Sequence, residues 1–540
     1  MPSPSLHPAL ALGLAAGALL VAAPRLHAQS RDTAQLAPVV TTATRSPLAV
    51  DRVPASVTVL SGDALRAQGV TLLADALRQV PGVAVQQAGS FGAQSSLFMR
   101  GGQGSYTKVM IDGVAVNEPG GAFDLATISL DNVERVEVVR GPVSVLYGSD
   151  AVTGVVNVIT RRGSAGAAAR TGSLALRGGT YGSYDVTADA ARTGARLSGS
   201  LGGGVHTSRG IYAFNSDYRN SAVSGALSGA AWDGATLQAS ARFSDVRADY
   251  PTDYTGAVVD SNAFRTERRT VLSTELAQRL ARGAELRLVA TSALTTASVV
   301  DPANDPAASA SDYDTHTRRQ LLELRASAPL AAGLSLAAGA SAEWQGAIAT
   351  NVTTGPWGAT DETRGARRNR GAWAQLEGSW HATTVVAGGR YDHSESFGEF
   401  DTWRLALSHR LRTGTRVRGS VGTAFREPSF GESFATAFSI ANPALRPERT
   451  RSWEVGAEQP LAAGRLLLGV TGYNQRFSDL IVYQPVGTSA QYRNVATARA
   501  NGAEVTATAF PAAHWVVDAS ASYVDTRVLS AGLTGSMAQG

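Results

Sequence analysis

Cysteine is absent from the 540-residue chain, which excludes disulfides, thiolate metal sites and cysteine nucleophiles. Charge is sparse: 17% of residues are charged, the net charge is +4, and no lysine- or arginine-rich block occurs. The sequence pI of about 9.4 is therefore weak grounds for a nucleic-acid partner, and none is expected. Long hydrophobic runs are missing as well. The longest, Ala9 to Ala23, falls short of the roughly 20 apolar residues a membrane-spanning helix needs. No His-Glu-x-x-His or Gly-x-Ser-x-Gly motif is present, and the eight histidines are scattered, His7 and His27 among the first 28 residues. The chain is not read as an enzyme.

The short apolar run is followed by Leu26-His27-Ala28 and Gln29. It reads as a secretory signal peptide over residues 1–28 with a small-residue cleavage site. A polar tail, 29–52, comes next. Within it "APVVTTATR", Ala37 to Arg45, has a proline that blocks helix and β-branched residues that favour extended backbone. An exposed extended patch of this kind can add as a strand to a partner's sheet edge.

Two grammars follow. Residues 53–163 read as a mixed α/β domain. "VPASVTVL" is a predicted strand, and "SGDALRAQG" and "TLLADALRQVPG" are short helices capped by Ser61 and Thr71. "SLFMRG", "KVMIDGVAV", "VERVEVVRG" and "VVNVITRR" are strands. Alternation in "VERVEVVRG" puts Val133, Arg135, Glu137 and Val139 on one face and Glu134, Val136 and Val138 on the other. From residue 164 to 540, stretches of about ten residues alternate small or apolar with polar. Short turn signals separate them at one end, and long polar segments (206–220, 249–266, 301–318 and 349–370) at the other. That pattern fits a transmembrane antiparallel β-barrel, in which closure pairs every backbone group as hydrocarbon demands. A soluble sandwich or propeller would alternate too.

"RGPVSVLYGSDAVTGVVNVIT", Arg140 to Thr160, is rich in glycine but lacks the Gly-Lys-Ser/Thr of a phosphate loop and ends in a strand. Together with "APVVTTATR", "FMRGGQGSYTKVMIDGVAVN" and "ISLDNVERVEVVRG" upstream, and "GTAFREPSFGESF", "NPALRPERTRSWEVGAE" and "YNQRFSDLIVY" downstream, it resembles the TonB box, plug and barrel segments of TonB-dependent outer-membrane receptors. Within that family the plug is most similar to those of cobalamin receptors.

The resemblance implies a mainly β fold: a 22-stranded barrel with an N-terminal α/β plug in its lumen. It implies active uptake of a large scarce nutrient across the outer membrane of a Gram-negative-type bacterium. Cobalamin or another corrinoid is the expected cargo, with a ferric siderophore or haem as the alternative and a passive porin or adhesin as the reading from another class. The implied partners are TonB with ExbB-ExbD, the cargo and outer-membrane lipid, around a monomer. TonB contact falls to Ala37, Pro38, Val39, Val40 and Thr41. Substrate contact falls to two apical loops, Ser90, Phe91, Ala93, Gln94 and Ser95, then Asn117, Glu118, Gly120, Gly121 and Phe123. Glu137, Arg140 and Asp150 anchor the plug by hydrogen bonds and ion pairs, and Asp150 bonds turn amides or a wall arginine. No cofactor is required. Calcium in extracellular loops is an option, through Asp217, Asp249, Tyr250, Asp253 and Asp260 as hard oxygen ligands. At a rough 20 residues per strand and loop, residues 164–540 make about 18 or 19 strands, so the last strands of a 22-stranded barrel are expected to be missing.

Overall fold

The computed structural model describes residues 39–45 and 48–531, apart from 163–168, 195, 254–255, 305–308, 356–357, 437–438, 488 and 513–514. The signal-peptide reading and the positions Ala37 and Pro38 lie outside the described residues.

The N-terminal part contains nine strands: β1 (Val39–Val40), β2 (Leu48–Ala49), β3 (Ser56–Ser61), β4 (Val83–Gln87), β5 (Ser95–Met99), β6 (Thr107–Ile111), β7 (Val114–Ala115), β8 (Val133–Arg140) and β9 (Gly154–Thr160). Five form one sheet in the order β3-β8-β9-β6-β7, in which β6 and β9 run parallel. Helices α1 (Gly62–Ala67) and α2 (Leu73–Leu77) pack on it. Their Leu65, Leu73 and Leu77 join Val109, Ile111, Val136, Val138, Val156 and Val158 in one buried core. The alternation of β8 holds from Arg135 onward: Val136 and Val138 enter that core, while Val139 enters a second one with Val40, Ala43 and Val53. Val133, expected on the Val139 face, joins Val136 and Val138 instead, because the register shifts between Val133 and Arg135.

Three local expectations change. "KVMIDGVAV" is two strands, not one, because Asp112 and Gly113 adopt φ of 52° and 81° and close a tight turn between β6 and β7. Helix α2 is not capped by Thr71; its N-cap is Leu72, without a side-chain bond, and the Thr71 carbonyl accepts from the Leu130 amide instead. A one-turn helix, α3 (Ser144–Tyr147), fills the middle of "GPVSVLYGSD". It ends at Gly148, whose φ of 67° suits a residue without a Cβ. Gly154 is required for a different reason: a Cβ there would lie 2.3 Å from the Val139 carbonyl oxygen.

Among the described residues, the rest is one antiparallel sheet of seventeen strands in sequence order. They are β10 (Ala169–Gly178), β11 (Tyr184–Thr193), β12 (Leu197–Ser208), β13 (Tyr218–Trp232), β14 (Ala235–Asp249), β15 (Phe264–Arg279), β16 (Glu285–Asp301), β17 (Ser311–Ala331), β18 (Leu334–Thr353), β19 (Ala359–Trp380), β20 (Thr383–Ser394), β21 (Gly398–Arg410), β22 (Arg416–Arg426), β23 (Glu448–Leu461), β24 (Leu466–Val486), β25 (Ser489–Ala509) and β26 (Val517–Ser530). The number is below the expected 18 or 19 because five strands run 20 to 22 residues. Among the described residues β10 and β26 are not paired with each other.

Connections at one end are short, such as Asp233-Gly234 and Ala332-Gly333, while those at the other reach 250–263 and 427–447. The long polar segments read from the sequence are therefore shorter than expected, since the flanking strands extend into them. The longest connection, 427–447, was not among them. Outward-facing aromatics mark two levels. Trp344, Tyr391, Trp403, Trp453 and Tyr523 lie toward the long-loop end, and Trp232, Trp380 and Trp515 at the short-turn end, all exposed. Such paired girdles border the apolar band of a barrel in a bilayer. Among the described residues no helix is long and apolar enough to cross a membrane.

The sheet wraps the plug. Polar contacts reach the N-terminal domain from β11 (Asp189 to Arg161), β14 (Arg242 to Ser129), β17 (Arg319 to Asp150), β19 (Gln375 to the Thr44 carbonyl), β22 (Arg418 to Ser56) and β26 (Ser522 to the Gly82 amide).

Candidate functional site

Three layers of the plug carry chemistry: a docked tail at the short-turn end, an ion-pair lock in the middle and an apical face under the long loops.

At the bottom, β1 folds back on β2 as a minimal hairpin, Val39 opposite Ala49 and Val40 opposite Leu48. The chain beyond is pinned by one carboxylate. Glu137 Oε2 accepts from the amides of Thr41 (3.2 Å) and Thr42 (2.9 Å) and from the Thr42 hydroxyl, while its Oε1 accepts from Arg135 Nε at 2.8 Å. Glu137 is fully buried, and Val40, Thr42, Ala43 and Thr44 are at most 1% exposed. Arg45 pairs with Glu323 of β17 at 2.5 Å and lies over the Tyr147 ring, 4.5 Å from its centroid. Of the patch expected to be extended and exposed, only Val39–Val40 is strand; residues 41–45 form a turn closed by the Arg45 amide on the Thr41 carbonyl, and Val40 and Thr42 to Thr44 are covered in this state. Val40 and Ala43 complete an apolar pocket with Val139 and Val143, and the buried Glu137 needs the tail's amide donors.

In the middle sits a cluster whose barrel half was not foreseen. Arg100, from "FMRG", places its guanidinium between Glu454 of β23 (2.6 Å) and Glu504 of β25 (2.7 Å), with the Tyr473 ring 4.7 Å away. Burial opposes its charge, but the two glutamates more than offset this and hold its pKa above the ordinary value. Arg140 reaches the same Glu504 at 3.2 Å. Burial pushes its guanidinium down to about 10 against that attraction. Ser56 Oγ donates to Glu454 and accepts from Arg418. Glu454 lies in "WEVGAE", and Glu504 in "NGAEV"; each is an acid among inward-facing positions of a strand, the one signal that could have found them.

The third anchor, Asp150, lies on another side. Its Oδ2 accepts from Arg319 at 3.3 Å and its Oδ1 from Ser149 Oγ at 2.6 Å, so a wall arginine is its partner. Beside it lies a cavity of about 60 Å³ lined by Arg45, Lys108, Tyr147, Arg319, Glu343 and Glu427. Lys108 is the chain's single lysine. Its Nζ donates to the Tyr147 and Ser149 carbonyls at 2.6 and 3.0 Å, and burial, then the Arg319 charge, lowers its pKa.

At the top the two apical loops meet: the Ser95 amide donates to Asp124 at 2.9 Å. The ten residues assigned to substrate divide there. Phe91, Gln94 and Glu118 are exposed and Phe123 is half-buried, with Arg269 over its ring at 4.9 Å. Phe91 faces Tyr181 at 6.4 Å. The other six are buried and hold the loops. Ser90 Oγ accepts from the Ile211 amide, Ser95 Oγ donates to the Ala93 carbonyl, Asn117 bridges Val109, Thr107 and Gly121, and the Gly120 carbonyl accepts from Arg426.

The acids considered for calcium do not form a cage. Asp260 Oδ1 accepts from the amides of Asn262 and Ala263, and Asp253 Oδ1 from the Ala257 amide. The Asp249 side chain pairs with Arg247 at 2.9 Å, and its amide donates to the Asp217 carbonyl. Tyr250 uses its carbonyl to accept from Asn215. Among the described residues no three His, Asp or Glu side chains converge as a group that could hold a metal.

A plug locked by buried ion pairs inside a girdled barrel, with its tail docked at the short-turn end, defines a corked outer-membrane transporter. Residues 160–536 match the β-barrel model described as TonB dependent receptor-like, and residues 49–155 match the TonB-dependent receptor plug domain. The chain belongs to the TonB-dependent receptor family. Similar solved structures include the pyoverdine outer-membrane receptor FpvA of Pseudomonas aeruginosa PAO1 (TM-score 0.76, 16% identity, covering 92% of this chain and 81% of that one). The alcaligin outer-membrane receptor FauA of Bordetella pertussis is another (0.69, 17%, 91% and 83%), and the copper transporter OprC a third (0.71, 18%, 84% and 76%).

Proposed function

We propose that this receptor imports a ferric siderophore, bound on the apical face and drawn inward when TonB, driven by ExbB-ExbD, pulls the tail. The observation that carries the cargo is the pair of exposed aromatic rings on that face. Phe91 stands beside Tyr181, and both are exposed, while Arg269 over half-buried Phe123 is itself buried and paired with Glu267. Exposed rings suit a large chelate with aromatic iron-binding groups. The names of the pyoverdine and alcaligin receptors support the same class. A corrinoid is the second reading, favoured by the plug segments "SSLFMRG", "MIDGVAVN" and "RGPVSVLYGSDAVTGVVNVIT", which resemble those of cobalamin receptors.

Energy for such a step must come from outside the membrane, since no nucleotide is available there. Cargo can release the tail only if it binds the released state more tightly than the docked one. The Glu137 latch makes that difference physical: release of the tail requires its two amides to leave the carboxylate and Arg45 to leave Glu323. Equilibrium binding of the purified receptor to a panel of ferric siderophores, with cobalamin alongside, tests the cargo. Tight binding of one ferric chelate and none of cobalamin supports the first reading. Cobalamin binding alone replaces it with the second.

A further inference from the structure

The outer face of the sheet carries a row that transport does not use. Arg451 of β23 lies directly opposite Arg476 of β24, Arg476 opposite Arg499 of β25, and Arg499 opposite Arg527 of β26. Four arginines occupy consecutive cross-strand positions. All share the outward-facing set: their neighbours Ser452, Glu454, Gln475 and Ala500 are buried toward the plug, while Arg451, Arg476 and Arg527 are exposed and Arg499 half-buried. Side chains directly opposite on adjacent strands stand about 5 Å apart, and like charges there are destabilising. Acids relieve only the β26 end of the row. Arg527 pairs with Asp525 at 3.2 Å, but among the described residues no ion pair or side-chain hydrogen bond engages Arg451, Arg476 or Arg499. The Arg499 Nε is buried without a partner.

The height of the row says what could relieve it. One step toward the short-turn end lie Trp453, of the upper girdle, and Asn474 with Asn501. The next steps reach Val455, Val470 and Val505, exposed apolar residues of the membrane band. The row therefore stands just outside the aromatic girdle, at the headgroups of the outer leaflet, and faces lipid rather than the lumen. Guanidinium groups match phosphate oxygens bidentately, and clustered cations at a membrane interface recognise anionic lipid headgroups.

We propose that the Arg451-Arg476-Arg499 row is a binding site for the phosphate groups of an outer-leaflet lipid, with Arg527 extending it and the Trp453 ring packing against the lipid below. Charge complementarity selects this occupant, since three unpartnered cations in register demand more than one negative charge, and their place above the apolar band demands a ligand anchored in the membrane.

The test uses the purified receptor in neutral detergent and fluorescent bisphosphorylated lipid A as probe, with its dephosphorylated form, phosphatidylcholine and inorganic phosphate as the other arms. The unmodified receptor binds the phosphorylated lipid and neither uncharged counterpart, and inorganic phosphate competes poorly. The triple variant Arg451→Gln, Arg476→Gln, Arg499→Gln loses affinity on the order of a hundredfold, whereas the matching triple lysine variant keeps most of it. Arg268→Gln, an outward position on β15 paired with Asp245, leaves binding unchanged. Heat-modifiable gel mobility confirms folding; should the triple variant misfold, each single glutamine variant still shows a loss of about fivefold. Equal binding by the folded variants, equal binding of the dephosphorylated lipid, or competition by inorganic phosphate as effective as the lipid itself would overturn the assignment.

Discussion

Glu137 and Thr42, ninety-five residues apart in sequence, are joined by a 2.9 Å bond from the Thr42 amide to the Glu137 carboxylate. One buried acid in the plug thereby holds the tail in its covered state, together with the Arg45–Glu323 pair and the Gln375 bond to the Thr44 carbonyl. A carboxylate that receives two backbone amides and a hydroxyl is satisfied only while the tail is docked.

Glu137→Ala removes the acceptor for both tail amides. Hydrogen bonds to a charged group contribute about 1.5–3 kcal/mol each, so the undocked population rises at least about tenfold. The chain has no cysteine of its own, which makes a Thr41→Cys probe unique. Its thiol-labelling rate in the Glu137→Ala background should exceed that in the parent by this factor. Equal rates would dismiss the latch.

Arg100→Ala takes the guanidinium from buried Glu454 and leaves Glu504 with Arg140 alone. Breaking such a pair costs about 3–5 kcal/mol, and the plug should become the weaker part of the molecule. Planar-bilayer conductance should show a leak in denaturant at concentrations that leave the parent closed. Adding Glu454→Gln to Arg100→Met should restore much of the loss, because Glu504 keeps Arg140 as its partner and no buried carboxylate is left uncompensated.

Lys108 offers a pH readout. Its folded-state pKa lies below the ordinary lysine value, through burial first and Arg319 second. The unfolded chain then holds this proton more firmly than the folded one, so the Lys108 contribution to stability rises as pH climbs from the lowered value toward the ordinary one. In practice, normalised amine-labelling at Lys108, followed by peptide mapping, should reach its plateau at lower pH in the folded receptor than in the denatured chain. Superimposable profiles would contradict this.

Phe91→Ala removes the exposed ring beside Tyr181 while leaving buried Ser90 and Ser95 to hold the loop. Loss of an aromatic anchor at a binding face typically costs more than 1 kcal/mol, so cargo affinity should fall about tenfold with unchanged thermal stability. Ser95→Ala, by contrast, should affect stability more than affinity, since its hydroxyl serves the loop.

Class and order were written in the chain. The plug strands are short, branched and bounded by turns, so "VERVEVVRG" and "VVNVIT" could be placed before any coordinates, and the period-2 pattern beyond residue 164 points to a barrel because one face meets lipid and the other the lumen. Anchors of mixed charge, Glu137, Arg140 and Asp150, were also legible, being polar residues in otherwise apolar runs.

Their partners were not. Arg100 meets Glu504 across 404 residues, and Arg451 meets Arg476 only through the register of two strands. Local periodicity specifies which face a residue occupies, since alternate side chains must point opposite ways. It does not specify which residue stands opposite, because register is set by every turn and bulge along the sheet together. Glu137 reads from the sequence as a plug anchor with no partner named for that reason, and only the tertiary fold shows it holding the tail. The sequence by itself determined an exported, corked barrel; the packing of plug against wall decided where its charges pair and which of them are left to bind something else.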